Sequence, residues 1–306
     1  MTVLEGYGRP TGGAGARNHV FVLPSVVCSA LVAREIAQAT GATSVSHQHG
    51  CGHIGADIVQ TRQLFVGLAA NPNVARSLVV SLGCETVRGD VVAKELQRRG
   101  YDTRFVGIQK SGGNAAAREA GIDHARQLRE AADVITRSRV EISDLTVGLV
   151  ASRADDRIGE LIALATGHGA RVVIATSAAA ALFPGEIGAA PVIDIGDEPT
   201  APVSVIRNAG SGGAQLLAAA AACRAQVLVE FAAADQPPLG FPLAPVVSVA
   251  AAEGLHRLIE GEFDALGRSR AADVWDQIAR VYNGAESKAE LRDSTIFAIP
   301  RLMRTM

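Results

Sequence analysis

The sequence predicts an α/β protein built from two Rossmann-like domains with mostly parallel sheets. Three observations support this prediction: short apolar segments alternate with longer helical segments, the loops between them are short, and the alternation starts again in the second half. The 306 residues are 48% hydrophobic and only 4% aromatic, which suits β-branched strands that pack against alanine-rich helices. A chain of this length can bury two separate cores.

The first half contains four strand–helix pairs. We predict strands over residues 19–24, 42–46, 77–82 and 101–108, and helices over residues 27–38, 54–71, 87–99 and 113–137. Short apolar strands that are joined by helices form parallel βαβ units. These units define a first domain over residues 1–142.

The second half repeats this organisation. We predict strands over residues 145–150, 171–175, 225–231 and 245–249, and helices over residues 156–166, 212–223 and 271–292. A looser passage rich in Pro and Gly covers residues 183–202, and a turn-rich loop covers residues 235–240. The simplest division places a boundary near residues 140–144, so that residues 143–306 form the second domain.

Composition argues against several classes of partner. The formal net charge of −2 provides no basic surface for nucleic acid, and no apolar run is long enough to span a membrane. Residues 1–15 lack the apolar core of a signal peptide. Four cysteines do not form a recognisable disulfide framework, and Cys28 and Cys223 fall in apolar helical patterns that predict buried thiols. We therefore expect a soluble, cytoplasmic protein with reduced thiols and neither a nucleic acid nor a membrane partner. We separately expect a homo-oligomer.

The most informative segment is residues 47–53, His-Gln-His-Gly-Cys-Gly-His, between a predicted strand and a predicted helix. Imidazole and thiolate suit Fe(II), Zn(II) or Mn(II) far better than Ca(II) or Mg(II). A second loop, Gly83-Cys84-Glu85, follows another apolar run. If the two loops end neighbouring strands, they can converge on one transition metal. The alternative is a glycine-rich turn with solvated histidines, and His53 fits the start of the helix better than a ligand position.

Two further loops precede predicted helices and can present backbone N–H groups to an anion. Ser111, Gly112 and Gly113 form the first, and residues 208–213 form the second. Because many helices begin with Ser and Gly, an ordinary turn and helix cap is the alternative for both.

A series of short motifs follows one another along nearly the whole chain. The first-half motifs are Gly6-Tyr7-Gly8-Arg9, Gly15-Ala16-Arg17-Asn18-His19-Val20, Leu23-Pro24-Ser25-Val26-Val27-Cys28, His47-Gln48-His49-Gly50-Cys51-Gly52, Asn71-Pro72-Asn73-Val74, Gly83-Cys84-Glu85 and Ser111-Gly112-Gly113. The second-half motifs are Gly213-Ala214-Gln215, Gly240-Phe241-Pro242-Leu243-Ala244-Pro245-Val246-Val247, Lys288-Ala289-Glu290 and Phe297-Ala298-Ile299. As an ordered set, these motifs resemble the altronate and galactarate dehydratase family, which includes the large subunit of sulfolactate sulfo-lyase.

This resemblance implies a lyase that removes water, or sulfite in the sulfolactate branch, from the position beside a carboxylate. It implies a divalent metal, with Fe(II) first and Mn(II) or Zn(II) as alternatives. The motifs begin at residue 6, so the small N-terminal domain of the family is expected to be absent here and to exist as a separate small subunit.

The second half departs from the family pattern. Residues 150–156 stand where the family carries a Cys-Gly-Gly-Ser-Asp block, and residues 174–178 lack an expected glutamate. Residues 232–238 replace a basic Thr-Gly-Arg-Gly-Thr-Pro loop, with Asp235 where a family arginine would sit. The second domain is also shorter than in relatives. These changes predict a substrate that is smaller and less charged than the sugar acids, or no substrate at all.

Elimination beside a carboxylate needs a base, a centre that stabilises the developing negative charge, and an acid for the leaving group. The predicted metal ligands are His47, Cys51 and Cys84. His49 is equally suited to be a ligand or the base, and Glu85 is the second candidate base, although a helix N-terminal acid is its ordinary role.

Arg17 and Asn18 are the predicted substrate-binding residues, together with Ser111, Gly112 and Gly113. A guanidinium can grip a substrate carboxylate through two parallel hydrogen bonds. An ordinary surface arginine is the alternative for Arg17.

Three functions are compatible with these features. The first is a metal-dependent lyase that acts on a small hydroxy acid, and the intact first-half loops favour it. The second is a non-catalytic or regulatory subunit that keeps the fold and partners an active lyase, and the rewritten second-half loops favour it. The third, a nucleotide-binding Rossmann protein, is disfavoured because no Gly-x-Gly-x-x-Gly follows the first strand.

Overall fold

The computed structural model describes residues 3–176 and 190–302, and it confirms the predicted α/β class. In chain order the strands are β1 Leu4–Gly8, β2 Ala14–Gly15, β3 His19–Pro24, β4 Thr43–Ser44, β5 Val74–Ser81, β6 Thr103–Gly107, β7 Ser138–Val140, β8 Thr146–Ala151, β9 Arg171–Ala175, β10 Val192–Ile193, β11 Val203–Ile206, β12 Val227–Phe231 and β13 Val246–Ser248. The helices are α1 Ala30–Thr40, α2 Ala56–Ala69, α3 Gly89–Arg98, α4 Asn114–Asp133, α5 Arg157–Gly167, α6 Gly213–Ala222, α7 Ala271–Tyr282 and α8 Lys288–Leu291. Short 3₁₀ turns form at Val27–Ser29, Ile142–Asp144, Gly254–Arg257 and Glu260–Glu262.

Two parallel sheets organise the molecule. The first has the strand order β4-β3-β5-β6, and the second has the order β10-β11-β9-β8-β12-β13. Every pairing between named strands in both sheets is parallel, as expected for strands that helices connect. A small antiparallel sheet, β2-β1-β7, brings the N-terminal segment back to the end of the first half.

The first sheet is covered on both faces, which explains why its strands are apolar throughout. Val20, Val22, Leu78 and Val80 pack against α1 and α4 on one face. Phe21, Leu23 and Val79 point to the opposite face, where their cluster includes buried residues of α2 and α3.

The hydrophobic cluster on this second face contains residues from both halves of the chain. Helix α2 from the first half packs against α6 from the second. Gly67 of α2 permits this contact, because a Cβ atom there would lie 2.4 Å from the carbonyl oxygen of Ala222.

The proposed division at residues 142/143 falls in a 3₁₀ turn between β7 and β8, and it stays a prediction.

Several predicted elements have different bounds in the structure. The predicted helix over residues 27–38 begins with a 3₁₀ turn, and the predicted helix over residues 113–137 ends at Asp133 before β7. The predicted helix over residues 271–292 is two helices, α7 and α8, separated by residues 283–287. Within the looser passage, residues 183–189 lie outside the described residues and residues 192–193 form β10.

No helix in the described part of the chain is both long enough and apolar enough to cross a membrane.

Candidate active site at the carboxyl edge of the first sheet

Three loops meet at the carboxyl edge of the first sheet. The loop after β4 carries His47, His49 and Cys51, and the loop after β5 carries Cys84 and Glu85. Our expectation that these two strands are neighbours is wrong, because β3 lies between β4 and β5. The loop after β3, which leads into the 3₁₀ turn Val27–Ser29, therefore lies between the other two. Open parallel sheets bind their ligands at this edge.

Backbone hydrogen bonds hold the three loops together. The Val27 N–H donates to the carbonyl oxygen of His49 at 2.8 Å, and the Thr86 N–H donates to the carbonyl oxygen of Gly50 at 3.0 Å. Gly50 has a φ of +107°, and a Cβ atom there would lie 2.5 Å from the carbonyl oxygen of Ser25. Only glycine therefore fits this crossing point without displacing the backbone.

His47 and His53 are buried and have both ring nitrogens occupied. The Nε2–H of His47 donates to the carbonyl oxygen of Pro24 at 2.8 Å, and its Nδ1 accepts the His49 N–H at 3.2 Å. Burial lowers the pKa of His47 to about 4, so the ring is neutral. His53 accepts the Gly50 N–H at Nδ1 and contacts the Thr61 hydroxyl at 3.1 Å. His53 is not the helix residue that we predicted, because α2 begins at Ala56.

His49 differs from these two histidines because its ring forms no hydrogen bond with any residue that the structure describes. The ring is partly exposed and lies edge-on to that of His53, with 5.7 Å between the centroids. Burial and the positive charge of Arg301 lower the pKa of His49, so it is neutral near pH 7. A neutral imidazole with a free nitrogen can accept a proton.

Glu85 anchors the loop after β5. Its carboxylate accepts the Gly83 N–H at 2.6 Å, the Ser25 hydroxyl at 2.9 Å and the Gly89 N–H at 3.3 Å. Burial opposes its ionisation, but these backbone and hydroxyl donors outweigh burial and lower the pKa of Glu85. The group is therefore an ionised loop anchor at the start of α3, and its role as a base stays a prediction.

The thiols of Cys51 and Cys84 are free and exposed, so they suit a soft metal. His47 would have to give up one of its two hydrogen bonds before it could coordinate a metal. Within residues 3–176 and 190–302, no three His, Cys, Asp or Glu side chains converge closely enough to hold one ion. The cysteines therefore fit a metal as donors, whereas the predicted set of His47, Cys51 and Cys84 is not preassembled around a single point.

Arg17 and Asn18 are not brought to this edge. They precede β3, so the length of the strand, about 20 Å for six residues, separates them from the loops at its other end. The Arg17 guanidinium binds both carboxylate oxygens of Glu290 at 2.7 Å and also donates to the carbonyl oxygens of Val281 and Ala285. Asn18 accepts a hydrogen bond from Arg9 and donates one to Ala132. Their role in substrate binding stays a prediction.

Ser111, Gly112 and Gly113 follow β6 at the correct edge, but their N–H groups donate to the carbonyl oxygens of Gly107, Gln109 and Ile108. An anion would therefore have to displace these hydrogen bonds before it could bind the three N–H groups. A pocket of about 230 Å³ lies next to this turn, lined in part by Gly83, Glu85, Gln109 and Lys110.

Arg301 is a candidate site residue that the sequence analysis missed. Residues 300–302 lie against the first turns of α2, and Arg301 binds the buried Asp57 carboxylate at 3.1 Å. Arg301 also lines a pocket of about 380 Å³ with Thr176, Asn208 and Gln215, which follow β9 and β11 or belong to α6. Arg301 thus connects the carboxyl edges of both sheets. No sequence signal marks it, since a lone arginine near the C-terminus is ordinary.

Cys28 is the second residue that we missed, and its predicted burial is wrong. It is exposed in the 3₁₀ turn that follows β3, because the helix begins only at Ala30. Cys223, in contrast, is buried at the end of α6 as predicted, and burial raises the pKa of its thiol to about 12. The sequence did contain one indication of this position. Cys28 follows the end of β3 at Pro24 closely, so it falls on a loop after a strand, as Cys51 and Cys84 do.

The rewritten loops of the second half form an ion cluster at the carboxyl edge of the second sheet. Asp155 accepts hydrogen bonds from Arg153 and Arg157, and the arginines also donate to carbonyl oxygens of the loops after β12 and β13. Burial opposes the ionisation of Asp155, but the two guanidinium groups lower its pKa to about 2. Residues 177–178, where a family glutamate was expected, lie outside the described residues.

Comparison with known proteins shows which family the first half of the chain is similar to. Residues 6–133 match the family model described as D-galactarate dehydratase/Altronate hydrolase, second domain. This match confirms the resemblance to the altronate and galactarate dehydratase family for this part of the chain, which contains all three loops. The first half of the chain is therefore homologous to a dehydratase and lyase family.

Particular relatives support the same assignment. The chain is 28% identical over 163 residues to an altronate dehydratase of Bacillus subtilis (strain 168), and 30% identical over 164 residues to one of Escherichia coli (strain K12). It is 28% identical over 155 residues to the (2R)-sulfolactate sulfo-lyase subunit beta of Chromohalobacter salexigens. Each alignment covers 50% of this chain but only 32%, 33% and 39% of the respective relatives.

Proposed function

We propose that this protein is a metal-dependent carbon–oxygen or carbon–sulfur lyase that acts on a small hydroxy acid. The observation that carries this proposal is the contrast among the three histidines. His47 and His53 are fixed by hydrogen bonds at both ring nitrogens, whereas the ring of His49 forms no hydrogen bond with any residue that the structure describes, and burial and the charge of Arg301 keep it neutral. The similarity to altronate dehydratases and to a sulfo-lyase subunit supports the same reaction class.

In this proposal His49 is the base. Its free nitrogen takes the proton from the carbon beside the substrate carboxylate, and that electron pair forms the new carbon–carbon double bond. The bond from the next carbon to its leaving group then breaks, and the departing hydroxide takes the proton that His49 has accepted and leaves as water, which returns His49 to its neutral form. Arg301 is suited to bind the substrate carboxylate, because its guanidinium is already oriented by Asp57 at the same edge.

Cys51 and Cys84 are the donors that would hold the metal, with Fe(II) first and Mn(II) or Zn(II) as alternatives. When bound, such a metal supplies positive charge that stabilises the negative charge developing on the substrate. Glu85 keeps the Cys84 loop in position through its bonds to Gly83 and Ser25. We further propose a cytoplasmic homo-oligomer that works with a separate small subunit, since one relative is itself named as a subunit.

The test is an elimination assay on protein purified anaerobically, with each of the three metals and with or without a candidate small subunit. We expect turnover of small hydroxy acids or of sulfolactate, and little turnover of altronate or galactarate. His49→Asn should lower kcat by about 100- to 10,000-fold while the free energy of unfolding stays the same. The matched control is His168→Asn, because His168 stacks on Trp275 at the end of α5 and should not affect turnover. Parent-like activity of His49→Asn would refute the assignment of the base.

One observation favours a second candidate function, a non-catalytic or regulatory subunit. The arginines that could have bound an anion in the second half are occupied by Asp155 and by backbone oxygens. If no hydroxy acid is turned over under any of the conditions above, this function is tested by adding the chain to an active lyase of the family. An increase in that lyase's rate or stability would support it.

A further inference from the structure

The C-terminal segment, residues 299–302, contacts both halves of the chain. The carbonyl oxygen of Pro300 accepts a hydrogen bond from Gln60 of α2 at 3.0 Å. The carbonyl oxygen of Ile299 accepts one from Gln215 of α6 at 3.3 Å. The segment therefore lies between a helix of the first half and a helix of the second half, and both helices hold it.

The guanidinium of Arg301 uses one side to bind Asp57. Its Nε and Nη2 groups donate to the same carboxylate oxygen, at 3.3 and 3.1 Å. Its Nη1 group has no acceptor within residues 3–176 and 190–302. Because a guanidinium carries five N–H donors in a fixed fork, the contact with Asp57 leaves the side formed by Nη1 and Nη2 available. A carboxylate fits that side through two parallel hydrogen bonds.

The pocket beside Arg301 is polar and carries a single charge. Its volume of about 380 Å³ falls within the range of small-molecule sites. Among the described residues that line it, Arg301 is the only charged one, and the neutral polar ones include Asn208, Ser211 and Gln215. The amide oxygen of Gln215 is engaged, because it accepts the N–H groups of Ser211 and Gly212. The side chains of Asn208 and Ser211 bond to no residue that the structure describes, so they are available to a ligand.

The position of the pocket connects it with the candidate base. It lies after β9 and β11, which are neighbours in the second sheet, and open parallel sheets bind ligands at this carboxyl edge. Arg301 binds Asp57 of α2, the helix that also carries Thr61. Thr61 contacts His53 at 3.1 Å, and the rings of His53 and His49 lie 5.7 Å apart. The pocket and His49 are thus attached to the first two turns of the same helix.

We infer that this pocket selects a short hydroxy acid with a single carboxylate, and that Asn208 and Ser211 determine this specificity. Arg301 binds the carboxylate, while the Asn208 amide and the Ser211 hydroxyl bind the oxygens beside it. A second carboxylate would find no other cation among the described lining residues and would stay unpaired. The inference rests on the proposed function, because it names the substrate class of the same site and assigns its recognition to residues of the second half.

The test is calorimetric titration of the full chain with three probes, in the presence of a chelator so that no metal ion can hold the acid. Glycolate has one carboxylate, tartronate has a second carboxylate on the same carbon, and glycolamide has a neutral amide instead. None of them has the neighbouring carbon that elimination requires. Glycolate should bind at one site per chain, tartronate about tenfold more weakly, and glycolamide not detectably. Absence of glycolate binding, or equal affinity for glycolate and tartronate, would overturn the inference.

Substitution of Asn208 tests the lining of the pocket without changing Arg301. Asn208 has a φ of +54°, which aspartate also tolerates, so Asn208→Asp keeps the backbone and adds a negative charge. It should weaken glycolate binding about tenfold or more, and Ser211→Ala should weaken it roughly threefold to tenfold. The matched control is Arg207→Gln, which changes the net charge by the same amount. Arg207 pairs with Asp194 and does not line the pocket, so this variant should keep the parent affinity.

Parent-like glycolate binding by Asn208→Asp would refute the assigned specificity, and an equal loss of affinity in Arg207→Gln would reduce the effect to the net charge of the surface. Circular dichroism and urea unfolding verify that each variant keeps the fold. Glycolate binding with the expected selectivity, but without turnover of any hydroxy acid, would support the pocket and refute the lyase proposal. Turnover with an unchanged KM in Asn208→Asp would support the lyase proposal and overturn the role of the pocket.

Discussion

The guanidinium of Arg301 binds the carboxylate of Asp57 at 3.1 Å, and the Leu302 N–H donates to the same carboxylate at 2.8 Å. Asp57 lies in the first turn of α2 and is 1% exposed, so the C-terminal segment is attached to the helix that follows the His-rich loop. Through these contacts Arg301 and Leu302 become part of the candidate site, whose loops belong to the first half of the chain.

We expect Arg301→Ala to lower the free energy of unfolding by about 2 kcal/mol, because a buried carboxylate loses a charged donor. The measurement is urea unfolding of the parent, Arg301→Ala, Asp57→Asn and the double variant. A coupling energy of roughly 1 kcal/mol or more between the two positions is expected. Strictly additive effects would mean that the pair contributes nothing and that Arg301 is free to move.

A substitution of Arg17 tests whether this arginine stabilises the fold or binds the substrate. Its bidentate bond to Glu290, with two more bonds to carbonyl oxygens, joins the N-terminal segment to α7 and α8. Lysine cannot reproduce this fork of donors. We expect Arg17→Lys to lower the free energy of unfolding by roughly 2 kcal/mol and to leave KM unchanged in the folded protein. A raised KM with parent stability would instead support the substrate role that the family resemblance implied.

The sequence predicted the first sheet well because its physical signals are local. Strand β3 has the bounds predicted for it, since an uninterrupted apolar run buried on both faces has few alternative structures. Strands β1 and β2 were missed, because glycines interrupt their pattern and they are defined by pairing with each other and with the distant β7.

Only those features of the candidate site that depend on local sequence signals were predicted. The positions of His49, Cys51, Cys84 and Glu85 at strand ends follow from the βαβ pattern. The order of strands in the sheet does not, and it is this order that brings Cys28 between the two predicted loops. Arg301 reaches the site only through a contact with Asp57, 244 residues earlier in the sequence, which no local pattern encodes.

Gly50 and Gly52 provide a matched pair that tests how the three loops are held. Both have positive φ, of 107° and 70°, so alanine is strained at either position. At Gly50 a Cβ atom would also lie 2.6 Å from the Cα atom of Val26, whereas at Gly52 it would meet nothing within 4 Å.

We expect Gly52→Ala to cost about 1 kcal/mol of unfolding free energy, and Gly50→Ala to cost roughly 1–3 kcal/mol more because the backbone of the neighbouring loop must shift. Urea unfolding of the two variants measures the difference. Equal costs would show that the loops around Gly50 separate easily and do not form a fixed framework for the cysteines.

Glu230 predicts a dependence of stability on pH. It lies on β12, is 3% exposed and, among the residues that the structure describes, accepts one hydrogen bond, from the Leu239 N–H at 2.8 Å. Burial raises the pKa of Glu230 to about 7, although the Leu239 N–H and the charge of Arg292 oppose this shift. The folded state therefore binds a proton more tightly than the unfolded state does. The stabilisation that results is complete below the unfolded pKa of about 4.3 and is lost as the pH rises through 7.

The free energy of unfolding should thus fall by roughly 2 to 3 kcal/mol more between pH 5 and pH 8 in the parent than in Glu230→Gln. Glutamine is the suitable replacement, because its carbonyl oxygen can still accept the Leu239 N–H while the group no longer titrates. Urea unfolding of both proteins at the two pH values isolates this contribution, since all other titrating groups are common to both. If the two proteins lose stability equally over this range, Glu230 is already ionised in the folded protein at pH 5, and water or a cation must then reach the buried carboxylate beneath the loop of Leu239.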